Sequence, residues 1–199
     1  MTIAHTPLYL DRQGWLLPSE GVSLRPSPNY DRRPGNPISL LVIHNISLPP
    51  GEFGGPYIED LFLNQVDYNA HPWFENLKGL KVSAHFLVRR DGSIVQFVST
   101  DFRAWHAGVS KHAGRERCND FSIGIEVEGT DTLPYLDAQY VTLGALVPLL
   151  RSRYPLTATR GHEDIARGRK TDPGPAFDWG RFANATGILR RSLGNSAAR

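Results

Sequence analysis

Leu40-Leu41-Val42-Ile43 is an unbroken apolar run that ends on a histidine, His44, and it constrains the fold more tightly than any other stretch. A short run that is apolar on every residue reads as a fully buried strand. The strand is expected over about 39–44, with His44 projecting from its mouth. Before it, residues 25–37 carry too much proline for a helix or a central strand, so they form an extended segment laid over the surface. After it, a Gly- and Pro-rich loop over 45–55 leads into a helix from about Pro56, with Ile58, Leu61, Phe62 and Val66 at roughly helical spacing.

The rest of the chain alternates in the same way. Ser83 to Val98 predicts a hairpin turning at Arg90-Asp91-Gly92. In Ile123-Gly124-Ile125-Glu126-Val127-Glu128 the apolar residues fall on one strand face and both glutamates on the other. Residues 137–153 read as a buried helix, apolar nearly all round, which Gly144 and Pro148 should bend or shift. A last amphipathic helix starts after Asp178 as N-cap and buries Trp179, Phe182 and Leu189. Strands interleaved with helices indicate an α/β chain (α+β in its segregation) with a central mixed β-sheet and helices packed on its faces.

A length of 199 residues is one domain's worth. The expected division is an extended N-terminal segment 1–37, a catalytic core 38–190 and a flexible tail 191–199. An apolar fraction of 40% and a charged fraction of 21% argue against disorder and against membrane insertion. With a net charge of +2 and no dense basic run, nucleic-acid binding is not indicated, and nothing points to an obligate protein partner. The single cysteine, Cys118, reads as a small packed residue and gives no sign of an oxidising compartment. Residues 1–12 lack a basic start and a long apolar run, so no signal peptide is expected and a cytoplasmic location is.

His44, His162 and Asp172 have the right chemistry for an open zinc site. Catalytic zinc takes three protein ligands from His, Asp, Glu or Cys and leaves the fourth position to water. Spacing alone is weak support, and histidines satisfied by hydrogen bonds are the alternative. His85 and His106 would be surplus to such a set and are expected to line a groove or orient a ligand from behind.

The stretch Leu41-Val42-Ile43-His44-Asn45-Ile46-Ser47-Leu48-Pro49-Pro50-Gly51 resembles the AmpD family of cytoplasmic 1,6-anhydro-N-acetylmuramoyl-L-alanine amidases. Further matching blocks follow in family order: Val82-Ser83-Ala84-His85, Ala104-Trp105-His106-Ala107-Gly108, Gly114 to Asp120, Phe121 to Glu126, Gly161-His162 and Arg169-Lys170-Thr171-Asp172-Pro173-Gly174. The likeness covers roughly residues 15–185 and implies the fold shared with peptidoglycan-recognition proteins. It implies His44, His162 and Asp172 as zinc ligands, Glu126 as general base and acid, and Lys170 as stabiliser of the tetrahedral intermediate. Glu128, on the same strand face, is the rival to Glu126, and only the motif match separates them. Asn45, Lys81, Trp105 and Arg117 fall where the family lines its substrate groove. Lys81 stands where an arginine is more usual, and Arg167 where a proline is.

The implied substrate is an anhydromuropeptide cut between the sugar's lactyl group and L-alanine during cell-wall recycling. The alternatives are an amidase of broader range that also acts on intact peptidoglycan, and a non-catalytic muropeptide-binding module. Retention of all three ligands with Glu126 and Lys170 favours an enzyme.

Overall fold

The computed structural model describes residues 7–35 and 37–188. Leu189 and the tail expected over 191–199 lie outside them. The strands are β1 (Val22–Leu24), β2 (Tyr30–Asp31), β3 (Leu40–Ile46), β4 (Phe86–Val88), β5 (Ile94–Gln96), β6 (Arg103–Ala104), β7 (Lys111–His112), β8 (Arg115–Glu116), β9 (Ser122–Glu128) and β10 (Ala158–Gly161). The helices are α1 (Tyr57–Phe62), α2 (Asp137–Arg153), α3 (His162–Ile165) and α4 (Trp179–Thr186). Six strands form the main sheet in the order β1-β5-β4-β9-β3-β10, parallel throughout except where the β4–β5 hairpin makes an antiparallel pair. The expected mixed sheet with helices on its faces is what forms.

Alternation along β3 and β9 divides the sheet into two unlike faces. Leu41 and Ile43 pair with Ile123 and Ile125 and point to the first face. There they join Phe86, Val88 and Val127 in one apolar core, closed by Leu143, Leu146, Val147 and Leu150 of α2 and by Trp179 and Phe182 of α4. Helix α2 occupies the expected span with Pro148 inside it, so neither Gly144 nor Pro148 moves its boundaries. Asp178 caps α4 by accepting from the Arg181 N–H at 2.8 Å.

The second face has two smaller clusters. Leu87, Val95 and Phe97 pack with Phe62 of α1 and with Phe74 and Leu77 of the 3₁₀ turn Pro72–Leu77. Leu40 and Val42 pack with Ala107, Phe121 and Ile165. Between these clusters, side by side in register, lie His44 and Glu126.

Two local expectations need correction. The helix after Pro56 stops at Phe62, short of Val66, because Asn64 turns into the left-handed region at φ 59°. The Asn29 amide also bridges Phe62 O, Asn64 Oδ1 and Val82 O, which fixes the chain's exit there. The proline-rich segment is extended, but it does more than lie on the surface. Tyr30–Asp31 pairs with Arg103–Ala104, Ser27 and Asn29 are buried, and the Arg33 guanidinium reaches inward to donate to Asn119 O, Thr100 O and Ser122 O. No helix among the described residues is long and apolar enough to cross a membrane.

Candidate metal centre and substrate cleft

Three segments deliver the expected ligands to one point. His44 comes from near the end of β3, His162 opens α3 directly after β10, and Asp172 lies in the loop beyond. Because β10 pairs in parallel with β3 and its last residue, Gly161, lies opposite Ile43, the next residue on each chain is a histidine and both reach the same edge. His44 Nδ1 lies 3.0 Å from His162 Nδ1, and Asp172 Oδ2 lies 3.1 Å from each. Three ligand atoms spaced about 3.3 Å apart would suit a tetrahedral ion with bonds near 2.0–2.1 Å, so an ion enters with little movement.

The protonation states favour a cation. Burial, then the neighbouring His162, pushes the His44 pKa down to about 4, which leaves a neutral imidazole with a free lone pair. Burial alone would raise Asp172, but hydrogen bonds with His162 and His44 outweigh it and hold the carboxyl well below the usual range. His162 Nε2 faces the carbonyl of Ala107 at 3.1 Å and so is the donor there, which leaves Nδ1 as the nitrogen turned to His44 and Asp172. With no cation, these close contacts need a proton shared among the two Nδ1 atoms and the carboxylate; a metal ion would take that proton's place and draw all three lone pairs. His44, His162 and Asp172 are thus positioned to hold a metal ion.

The triad opens into a cleft of about 570 Å³ that Asn45, Lys81, Trp105, Glu126 and Lys170 also line. Arg117 is the exception. Its side chain is 72% exposed, sits beside Asp120, and borders a neighbouring cavity of about 1080 Å³. Gly108 and Arg169 line both cavities, so the segment around Gly108 is the wall between them. Asn45 lies in the cleft but turns its amide to Asp131 Oδ1 and Pro173 O, which ties the Asp172 loop to β3.

The two glutamates of β9 differ sharply. Glu128 is fully engaged: its Oε1 accepts from Gly54 N at 2.7 Å and its Oε2 from Arg90 N at 3.0 Å, so it fastens the loop after His44 to the β4–β5 hairpin. Glu126 is 8% exposed, and its Oε2 is buried without a partner. Burial, then the Asp172 carboxylate, pushes Glu126 well above the ordinary carboxylate range, with the Lys170 ammonium working against them. A buried, unpartnered carboxyl aimed at a cleft is costly unless it is used there.

Some contributors carry little sequence signal. Asn119 accepts from the main-chain N–H groups of both His106 and Ala107 through Oδ1, and Arg169 donates to Ala107 O and Val109 O. Both lie inside motif blocks, but only folding shows what they hold. Arg33 comes from a segment whose composition suggests no interior role.

The sequence profile of the N-acetylmuramoyl-L-alanine amidase family matches residues 34–175. The 1,6-anhydro-N-acetylmuramyl-L-alanine amidase AmpD of Citrobacter freundii is 63% identical over 174 residues, which span 85% of this chain and 91% of that enzyme. The crystal structure of a selenomethionine AmpD derivative superposes with a TM-score of 0.85 at 59% identity, covering 89% of this chain and 98% of that one. A human peptidoglycan-recognition protein, 20% identical with a TM-score of 0.56 over 80% of this chain and 93% of that one, shares the fold alone.

Proposed function

The chain belongs to the N-acetylmuramoyl-L-alanine amidase family, on its AmpD branch, and from that premise we propose that it is a zinc-dependent amidase of cytoplasmic cell-wall recycling. It hydrolyses the amide between the lactyl group of 1,6-anhydro-N-acetylmuramic acid and L-alanine of the stem peptide. The observation that carries this reading is the meeting of His44, His162 and Asp172 beside the unpartnered Glu126 in one cleft, in a chain 63% identical to an enzyme named for that reaction.

Zinc would be held by His44, His162 and Asp172 and would supply Lewis acidity for a water and for the scissile carbonyl. The protein's own residues do the rest. Glu126 takes a proton from the attacking water as its oxygen bonds to the lactyl carbon, then gives that proton to the alanine nitrogen as the C–N bond breaks. A carboxyl whose pKa is raised by burial serves both halves of that transfer, because it gives up the proton as readily as it takes it. Lys170, on the same cleft, steadies the negative charge that develops on the carbonyl oxygen. Trp105 offers a flat face to the sugar or the peptide, and Asn45 shapes the wall by holding the Asp172 loop. Lys81 and, across the Gly108 wall, Arg117 provide cations for the carboxylates of the stem peptide. A lysine at 81 grips a carboxylate as a point charge, without the two-pronged geometry of an arginine.

The test pairs metal analysis of the purified protein with mass spectrometry of products from three substrates: an anhydromuropeptide, its reducing-sugar counterpart and polymeric wall. One zinc per chain and preferential release of stem peptide from the anhydro compound are expected. Equal rates on all three would leave the amide chemistry and remove the recycling role. Release of sugar fragments would remove the reaction itself.

A further inference from the structure

The two histidine ligands are oriented by adjacent residues of one short segment. His44 Nε2 lies 2.9 Å from His106 Nδ1, and His162 Nε2 donates to the carbonyl of the next residue, Ala107, at 3.1 Å. We infer that His106–Ala107 is a template that fixes the orientation and tautomer of both histidines, and that Asn119, which touches neither, is the positioning residue that sets the template. The inference rests on the metal centre proposed above.

The hydrogen bonds form a directed chain. With His44 Nδ1 turned to the metal, its Nε2–H donates to His106 Nδ1, and the His106 Nε2–H is left to donate to Ser122 Oγ, 3.2 Å away. The buried His106 ring has room only because residue 124 lacks a side chain: a Cβ on Gly124 would come within 2.5 Å of His106 Cγ. The template's main chain is held from two sides. Asn119 Oδ1 accepts from His106 N at 3.2 Å and Ala107 N at 2.8 Å, while Arg169 donates to Ala107 O at 2.8 Å. Arg33 in turn donates to the backbone carbonyls of Asn119 and Ser122. A shift at Asn119 moves the acceptor of each histidine at once, so the two ligands respond together.

The template can be tested on the full chain by chelator competition for Zn²⁺ and by the visible absorption of the Co²⁺-loaded protein, read beside near-ultraviolet circular dichroism. Wild type is measured first. If it takes up no stoichiometric metal, the metal centre itself falls, and the template with it. If it binds metal, His106→Leu and Asn119→Leu should each weaken Zn²⁺ binding ~10–100-fold and alter the Co²⁺ spectrum, as loss of outer hydrogen bonds does. His106→Asn, which can place an acceptor near the old Nδ1, and Asn119→Asp, which keeps both acceptor contacts, should recover most of the affinity. Folded leucine variants with wild-type metal affinity and spectrum would overturn the inference and leave the metal centre standing. If the leucine variants do not fold, nitrogen-15 spectra of the zinc-loaded wild type decide. A slowly exchanging His44 Nε2–H with scalar coupling across the hydrogen bond to His106 Nδ1 supports the template, and its absence overturns it.

Discussion

The two faces of the central sheet are built from the same strands and do opposite things. On the first face, Leu41, Ile43, Ile123, Ile125 and Val127 meet α2 and α4 in one continuous apolar core. On the second, Leu40 and Val42 of β3 join one cluster and Leu87 and Val95 of the β4–β5 hairpin join another, and the polar seam between them holds His44, Glu126 and His106. Burying histidines and an unpaired carboxyl costs stability, so the second face persists because the first binds the same strands firmly. One face confers the stability and the other uses it.

The sharpest way to break this division is to remove the metal that the cleft is proposed to hold. Stripping it with a chelator, or replacing His162 with alanine, should abolish amide hydrolysis while unfolding remains cooperative and near-ultraviolet dichroism native-like. Global unfolding would mean that the centre, and not the first face, holds the sheet together. Next in size, Glu126→Gln should lower kcat ~10²–10⁴-fold, the usual loss for a missing proton shuttle, with metal content and melting temperature held. A fall confined to KM would count against that role. On the opposite face, Leu143→Ala should cost about 2–5 kcal/mol in denaturant unfolding with kcat per folded molecule unchanged. Loss of kcat there would show the faces to be coupled. The smallest effect belongs to Glu128→Gln, which leaves the Arg90 N–H facing an amide that cannot fully replace the carboxylate and should cost about 1–3 kcal/mol. Activity that falls further for Glu128 than for Glu126 would reverse the assignment of the two glutamates.

Periodicity alone carries the first face. The apolar run before His44, the alternation from Ile123 to Val127 and the long apolar helix over 137–153 name its members, because burial on a regular element repeats with the element's own period. The N-cap at Asp178 was equally plain. The second face was legible only in part. The ligand trio can be picked out by chemistry and motif, and the shared face of Glu126 and Glu128 by counting in twos. What separates those glutamates is the reach of Gly54 N and Arg90 N, two contacts from remote loops that no local pattern encodes. Asn119 and Arg33 escape notice for the same reason: their partners are backbone atoms far along the chain. Helix α1 ends early because Asn64 turns left-handed, and Ser27 and Asn29 from the proline-rich segment hold the Phe62 carbonyl where the chain leaves.

Gly124 turns this packing into a matter of genetics. Every missense change reachable from a glycine codon by one nucleotide adds a Cβ, and at this position that carbon would have to share space with the His106 ring. No substitution there is gradual. A random-mutagenesis screen for lost hydrolysis should therefore return alleles at codon 124 as readily as at the ligand codons. Among other chains of this fold, a bulkier residue at the aligned strand position would mark a lineage whose histidine pair is held in some other way or has been given up.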